Sequence, residues 1–260
     1  MSDLKQIFDQ VIQDKIRNIP GKAKIIETAK QSGRLLAVRG AYDYVERVVP
    51  HCYAGDKKII DATTSAPSFQ EVDAIFVGCP GKLSLTHWQK PLLGFLDRGG
   101  VLLTTDWCLG NFVEKLFPNM VRRKGSASGT FPLRVLQPKH PLLSGIPDCG
   151  GTSWVVEAAS HKIEIVDPKR VATILDAPNM GEPSAVLVAF EVGNGLVVHA
   201  ISHFHLQGSD KAGEYVSAYI LTNVIDEAIR RRYPDADVSS RVRVTDRDQS
   251  PPPLRIKVLN

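Results

Sequence analysis

Leu4, Ile7, Phe8, Val11, Ile12, Ile16 and Ile19 recur every three or four residues. That spacing puts them on one stripe of a helix, which Pro20-Gly21 ends. Lys22 to Ser32 predicts a second short helix closed by Gly33. From residue 34 the pattern changes to short apolar runs separated by helical stretches. Arg34 to Arg39, Lys58 to Asp61, Ala74 to Val77 and Val101 to Thr105 predict strands, and Tyr42 to Val49 predicts a helix ended by Pro50. The helix before the fourth strand has two candidate starts, a capping box at Thr86 and Gln89 or Pro91 in the first turn; Gly99-Gly100 ends it either way. Strands alternating with helices imply parallel pairing with both faces covered.

The second half reads as β-rich. Leu133 to Leu136, Trp154 to Ala158, Lys162 to Val166, Val171 to Leu175, Ala185 to Phe190 and Leu196 to Ala200 predict strands, with a tight hairpin turn at Gly193-Asn194-Gly195. Ala212 to Arg232 predicts a last amphipathic helix, and the Ser-, Asp-, Arg- and Pro-rich stretch beyond it reads as tail. The expected fold class is α/β: a flavodoxin-like, doubly wound, mostly parallel sheet with helices on both faces and a β-rich second half. The expected domains are a helical extension over 1–33, a main domain over 34–233 and a flexible Pro/Arg-rich tail over 234–260.

Composition changes this picture little. The 260 residues are 43% hydrophobic and 23% charged, which is ordinary for a globular chain with one sizeable core. Charge placement says more. Eight of the 32 basic residues but only four of the 28 acidic ones lie from Arg230 onward, so the remainder is balanced at 24 of each. A neutral body argues against a nucleic-acid partner. No apolar run reaches the ~20 residues of a membrane span, and the charged N-terminal helix is no secretory signal. Four cysteines do not suggest a disulfide framework. The expectation is a cytoplasmic protein with no membrane and no nucleic-acid partner, a small-molecule ligand or substrate, and a homo-oligomer or partner protein left open.

Candidate chemistry gathers in three places. Thr104-Thr-Asp-Trp-Cys-Leu-Gly-Asn111 runs from an apolar strand into a cysteine, a glycine and a short helix, the layout of a nucleophile elbow. A helix N-terminus beneath Cys108 would favour its thiolate, the amide of Leu109 could face an oxyanion, and Gly110 leaves room. Equally, Cys108 could be a small buried hydrophobe. Gly78-Cys-Pro-Gly81 closes the third strand, and amides near Gly78 and Gly81 could complete an oxyanion site. Cys79 is a rival nucleophile, ranked lower because Pro80 follows it. His199-Ala-Ile-Ser-His-Phe-His205 ends the last strand, with His203 the candidate general base. Shared parity would set its three histidines on one face of a continuous strand, a metal-site pattern that lacks an accompanying Cys or Glu cluster, so neither metal nor cofactor is expected. Arg122-Arg-Lys124 before Gly125 to Gly129 could cradle a phosphate but reads better as a solvated loop.

These pieces, in this order, resemble the class I glutamine amidotransferase-like superfamily. Trp107-Cys-Leu-Gly-Asn111 is similar to its cysteine elbow, Gly78-Cys-Pro-Gly81 to its oxyanion loop, and His203 to the histidine of its His-Pro-Glu element. Leu85-Thr86, Phe95-Leu-Asp-Arg-Gly-Gly100, His140-Pro-Leu-Leu-Ser-Gly145 and Gly193-Asn-Gly-Leu-Val-Val198 look closest to the trehalose-utilisation (ThuA-like) branch. The resemblance spans Arg34 to Arg232. It implies Cys108, His203 and His205 as the catalytic positions, with Leu109, Gly110, Gly78 and Gly81 around the oxyanion. Asp106 stands where the elbow pattern has its first glycine, and His205 where the third triad member is a glutamate. The implied function is a cysteine-dependent hydrolase or amidase acting on a small polar substrate. The alternative is a non-catalytic, carbohydrate-related ligand-binding or protein-interaction module with a degenerate triad.

Overall fold

The computed structural model describes residues 4–62, 65–146, 149–209 and 211–236. Its strands are β1 (Arg34–Arg39), β2 (Asp56–Asp61), β3 (Ala74–Val77), β4 (Val101–Thr105), β5 (Val121–Pro132), β6 (Arg134–Val135), β7 (Ser153–Ile165), β8 (Val171–Asp176), β9 (Ala185–Val192) and β10 (Gly195–Ala200). Its α-helices are α1 (Leu4–Asn18), α2 (Lys22–Ser32), α3 (Val45–Val48), α4 (Leu85–Asp97), α5 (Glu114–Leu116) and α6 (Lys211–Arg232). Among the described residues all ten strands join one mixed sheet.

Half of that sheet is parallel, in the order β2-β1-β3-β4-β10. A return past β1 before the chain moves on is the flavodoxin-like order, in which functional residues gather at the strands' carboxyl ends. β3 and β4 are buried at every position, as central parallel strands must be. The other half is antiparallel: β9 pairs β10 through the expected Gly193-Asn194 hairpin, then β7 and β5 follow, with β8 and β6 branching from β9.

Several expectations shift. The two strands read at Trp154–Ala158 and Lys162–Val166 are one strand, β7. The stretch read as a solvated loop at Arg122–Gly129 is most of β5, paired along β7 with two register shifts. It carries no sequence signal because its side chains are nearly all exposed and do not alternate. Arg122 and Lys124 there both bind Glu164 of β7, so no phosphate cradle forms. The helix expected from Tyr42 shrinks to α3, and α4 starts after Ser84 with Pro91 inside it. The tail expected over 234–260 lies outside the described residues beyond Ala236.

The two N-terminal helices are fastened to α6 by charge. Lys15 of α1 and Lys22 of α2 are both buried, and both reach Asp226 Oδ2, at 2.9 and 2.5 Å. Lys15 also donates to Thr222 at 2.8 Å, and the Tyr53 hydroxyl donates to Asp226 Oδ1. Burial alone would raise the Asp226 pKa, but the two ammonium groups outweigh it and hold the carboxyl at about 2. Burial lowers the Lys15 pKa to about 8.

Removing one member of such a network strands the others. Asp226→Asn is expected to cost about 3–5 kcal/mol in urea unfolding at neutral pH. Because the folded pKa of Asp226 lies below its unfolded value, its stabilisation is present above pH ~4 and is lost as pH falls toward 2. The variant should therefore close the gap to the parent protein across that window.

Candidate functional site

The carboxyl ends of β1, β3, β4 and β10 deliver Gly40, the Gly78–Gly81 loop, Asp106 and His203 to one place. Backbones approach so closely there that a side chain on Gly40 would overlap the Cys79 carbonyl, at 1.8 Å. Tyr42 N–H donates to that same carbonyl at 3.1 Å. β4 ends in a sharp turn, and the residue in the left-handed region is Asp106, at φ 46°. Its amide donates to Ala200 O of β10 at 2.8 Å. The residue at the strained turn is therefore a carboxylate, buried at 3% exposure, where the sequence pattern suggests Cys108.

The Asp106 carboxylate meets three partners. Its Oδ1 accepts from the His161 amide at 3.0 Å, while Oδ2 lies 3.4 Å from His203 Nε2 and 3.6 Å from Cys79 Sγ. On the other side of the His203 ring, Nδ1 lies 3.0 Å from Glu157 Oε2. Neither contact runs along a ring N–H, so both ring nitrogens of this fully buried histidine lack a directed hydrogen bond. Burial would lower the His203 pKa, but Asp106, Asp43 and Glu157 outweigh it and the pKa is raised. Trp107 covers the cluster, edge-on to Tyr42 (5.3 Å between centroids) and stacked on His161 (5.8 Å). Glu157, at 42% exposure, is the group at the mouth.

Cys108 lies behind this surface. It is 0% exposed, its thiol faces the Val77 carbonyl at 3.5 Å, and a Cβ on Gly81 would meet its sulfur at 2.5 Å. Burial, then the nearby Asp43 and Asp106 carboxylates, push its pKa up, the opposite of an activated thiol. Cys79 is raised in the same way, by burial first and Asp106 next.

The four amides expected around an oxyanion are all committed within the protein. Leu109 N–H donates to Asp106 O, Gly78 N–H to Val38 O and Gly81 N–H to Gly78 O, at 2.9–3.1 Å, and Gly110 N–H to His161 Nδ1 at 3.4 Å. The chain is helical from Cys108 to Leu116, π-type over Leu109–Val113 before α5, so the expected short helix is present and starts at Cys108 itself.

The three histidines part company. His199 stays in β10 against Thr104 Oγ1 at 2.8 Å, with burial holding its pKa down to about 3. His205 has left the strand and stacks on His203 at 5.5 Å, its Nδ1 3.2 Å from Asp43. It does not orient His203; the carboxylate beside Nδ1 is Glu157, which no motif marks. Asp43, buried and bonded by Thr105 Oγ1 at 2.5 Å, has no sequence signal either. The expectation of no metal rests on the lack of a Cys or Glu cluster beside the histidines. Folding brings Cys79 and Asp106 to His203, with ligand atoms within 4.8 Å of one another.

Solved structures share this arrangement of strands and helices. A protein described as a GMP synthase subunit, from Thermoplasma acidophilum, matches 78% of this chain and 98% of its own, at 14% identity and TM-score 0.54. A chain of PurLQS from Thermotoga maritima matches 74% and 97%, at 10% identity and TM-score 0.54. A ThuA-like protein from Parabacteroides merdae matches 75% and 89%, at 10% identity and TM-score 0.50. The fold is the glutamine amidotransferase-like one. No family model and no curated protein matches the sequence. At these identities the amidotransferase-like neighbours share the fold, and the chemistry has to be read from this chain's own side chains.

Gly81 gives a direct test of how tightly the edge is closed. Its φ of +64° and its contact with Cys108 leave no room for a methyl group. Gly81→Ala should lower stability by about 1–3 kcal/mol in denaturant unfolding. An unchanged midpoint would mean that the loop and the cysteine are not in contact.

Proposed function

We propose that this protein is a small-ligand binding module built on the glutamine amidotransferase-like fold, and not a cysteine-dependent amidase. One observation carries the reading: the turn directs the Asp106 carboxylate at His203, while the Cys108 thiol packs under Gly81 against the Val77 carbonyl. A thiol enzyme needs an exposed sulfur, a base within reach and free oxyanion donors. Here the base, His203, faces carboxylates. The edge offers acceptors, with Glu157 outermost. It therefore suits a ligand that donates hydrogen bonds or carries positive charge, a hydroxyl- or ammonium-bearing small molecule. That chemistry agrees with the carbohydrate connection implied by the sequence resemblance.

A second reading has its own support. Asp106, His203 and Glu157 repeat the order of nucleophile, base and acid with a carboxylate at the elbow. In that case the protein hydrolyses its ligand through Asp106, or through water held by His203.

Site-mapped alkylation of the native protein at neutral pH, with calorimetric titration of glucose, glucosamine and glutamine, tests both readings. Cys108 is expected to stay unmodified until the protein is denatured, with no glutamine hydrolysis. Saturable binding of a hydroxyl or amine probe, weakened at least fivefold by Glu157→Gln, supports the module. Turnover of a bound probe that is lost in Asp106→Asn favours the hydrolase. Fast modification of Cys108, slowed in His203→Ala, would restore a thiol mechanism and overturn the proposal.

A further inference from the structure

We propose that Cys79, Asp106 and His203 form a binding site for one divalent transition-metal ion, zinc by preference. The site goes beyond the ligand reading and does not depend on it.

The donor set is the first argument. A thiolate, an imidazole and a carboxylate are the three side-chain ligands that zinc takes, and a hard cation such as magnesium would not select the sulfur. Spacing is the second. Zinc–ligand bonds of about 2.0–2.3 Å at tetrahedral angles put a sulfur and an oxygen ligand about 3.6 Å apart and a nitrogen and an oxygen about 3.4 Å apart. Cys79 Sγ to Asp106 Oδ2 is 3.6 Å and His203 Nε2 to the same oxygen is 3.4 Å. All three ligand atoms lie within 4.8 Å of one another.

The third argument comes from the groups behind the ligands. Glu157 stands 3.0 Å from His203 Nδ1, on the ring nitrogen that a metal bound at Nε2 leaves free. A small rotation of the ring would let Nδ1–H donate to Glu157, giving the carboxylate–histidine–metal arrangement that fixes ring orientation at many metal centres. Asp106 Oδ1 is already held by the His161 amide at 3.0 Å, which leaves Oδ2 turned to the cluster. His203 is 0% exposed and its Nε2 has no directed hydrogen bond, a cost that an ion ligated there removes. The nearest additional charges, Asp43 and Glu157, are also negative, so a dication offsets part of a concentrated negative charge. Three protein ligands leave a fourth position for water or for a hydroxyl or amine group of a bound molecule.

The test uses the full chain, stripped with a chelator and dialysed, then titrated with cobalt(II) and, by calorimetry, with zinc. One equivalent per chain is expected, with a thiolate-to-cobalt charge-transfer band in the near ultraviolet. Cys79→Ser should abolish that band, and Cys52→Ala, a buried thiol away from the cluster, should keep it. His203→Ala and Glu157→Gln should each weaken zinc about 10- to 100-fold. Circular dichroism shows whether each variant is folded, and the two conservative variants, Cys79→Ser and Glu157→Gln, keep the test decisive if His203→Ala is not. No charge-transfer band, or zinc bound unchanged by the folded Cys79→Ser and Glu157→Gln variants, overturns the site. That result leaves the ligand reading standing, because Cys108 alkylation and sugar binding, repeated on the chelator-stripped protein, are read without any metal.

Discussion

A residue with a side chain held at φ 46° costs about 1–2 kcal/mol unless its surroundings favour it. At Asp106 they do. The amide is bonded to β10, one carboxylate oxygen accepts from His161 on β7, and the other meets Cys79 and His203. One residue thus ties together β4, the loop after β3, the end of β10 and the antiparallel half of the sheet. The turn at Asp106 also decides where Cys108 goes. Two residues past the elbow, its side chain is carried back under the Gly78–Gly81 loop, and no rotamer change returns it to the surface without moving that loop.

The site is assembled from two halves of different character. The parallel half supplies strand ends, which converge because every parallel strand points the same way. The antiparallel half supplies Glu157 and the His161 amide from the interior of one long strand. A carboxylate that flanks a histidine need not follow it in sequence; it needs a rigid element that passes close to the free ring nitrogen, and β7 is one. His205, freed from that role, turns to Asp43 and stacks on His203.

Legibility in the sequence follows these physical differences. β1, β3 and β4 are plain because central parallel strands are short continuous apolar runs, and the β9–β10 hairpin is plain because Gly193 marks its turn. β5 is not, since a strand whose side chains are nearly all solvated has no hydrophobic period to detect. At the site, the three regions that matter stand out by their position at strand ends. The elbow pattern draws attention to Cys108 because it fits a familiar spacing, whereas the residue that takes the left-handed turn and faces His203 is Asp106, the first after the strand. Glu157 has no local signal, because its importance depends on a contact with His203, far along the chain.

The bond from Lys15 to Asp226 joins residues 211 apart. The first helix of the described chain therefore waits for the last before its buried ammonium has a counter-charge. On a ribosome, the parallel strands β1 to β4 emerge long before α6, and β10 shortly ahead of it. Until then Lys15 and Lys22 have no buried counter-charge, so α1 and α2 cannot settle into their final places against α6. The molecule closes like a clasp, and α1 and α2 dock only once α6 has formed.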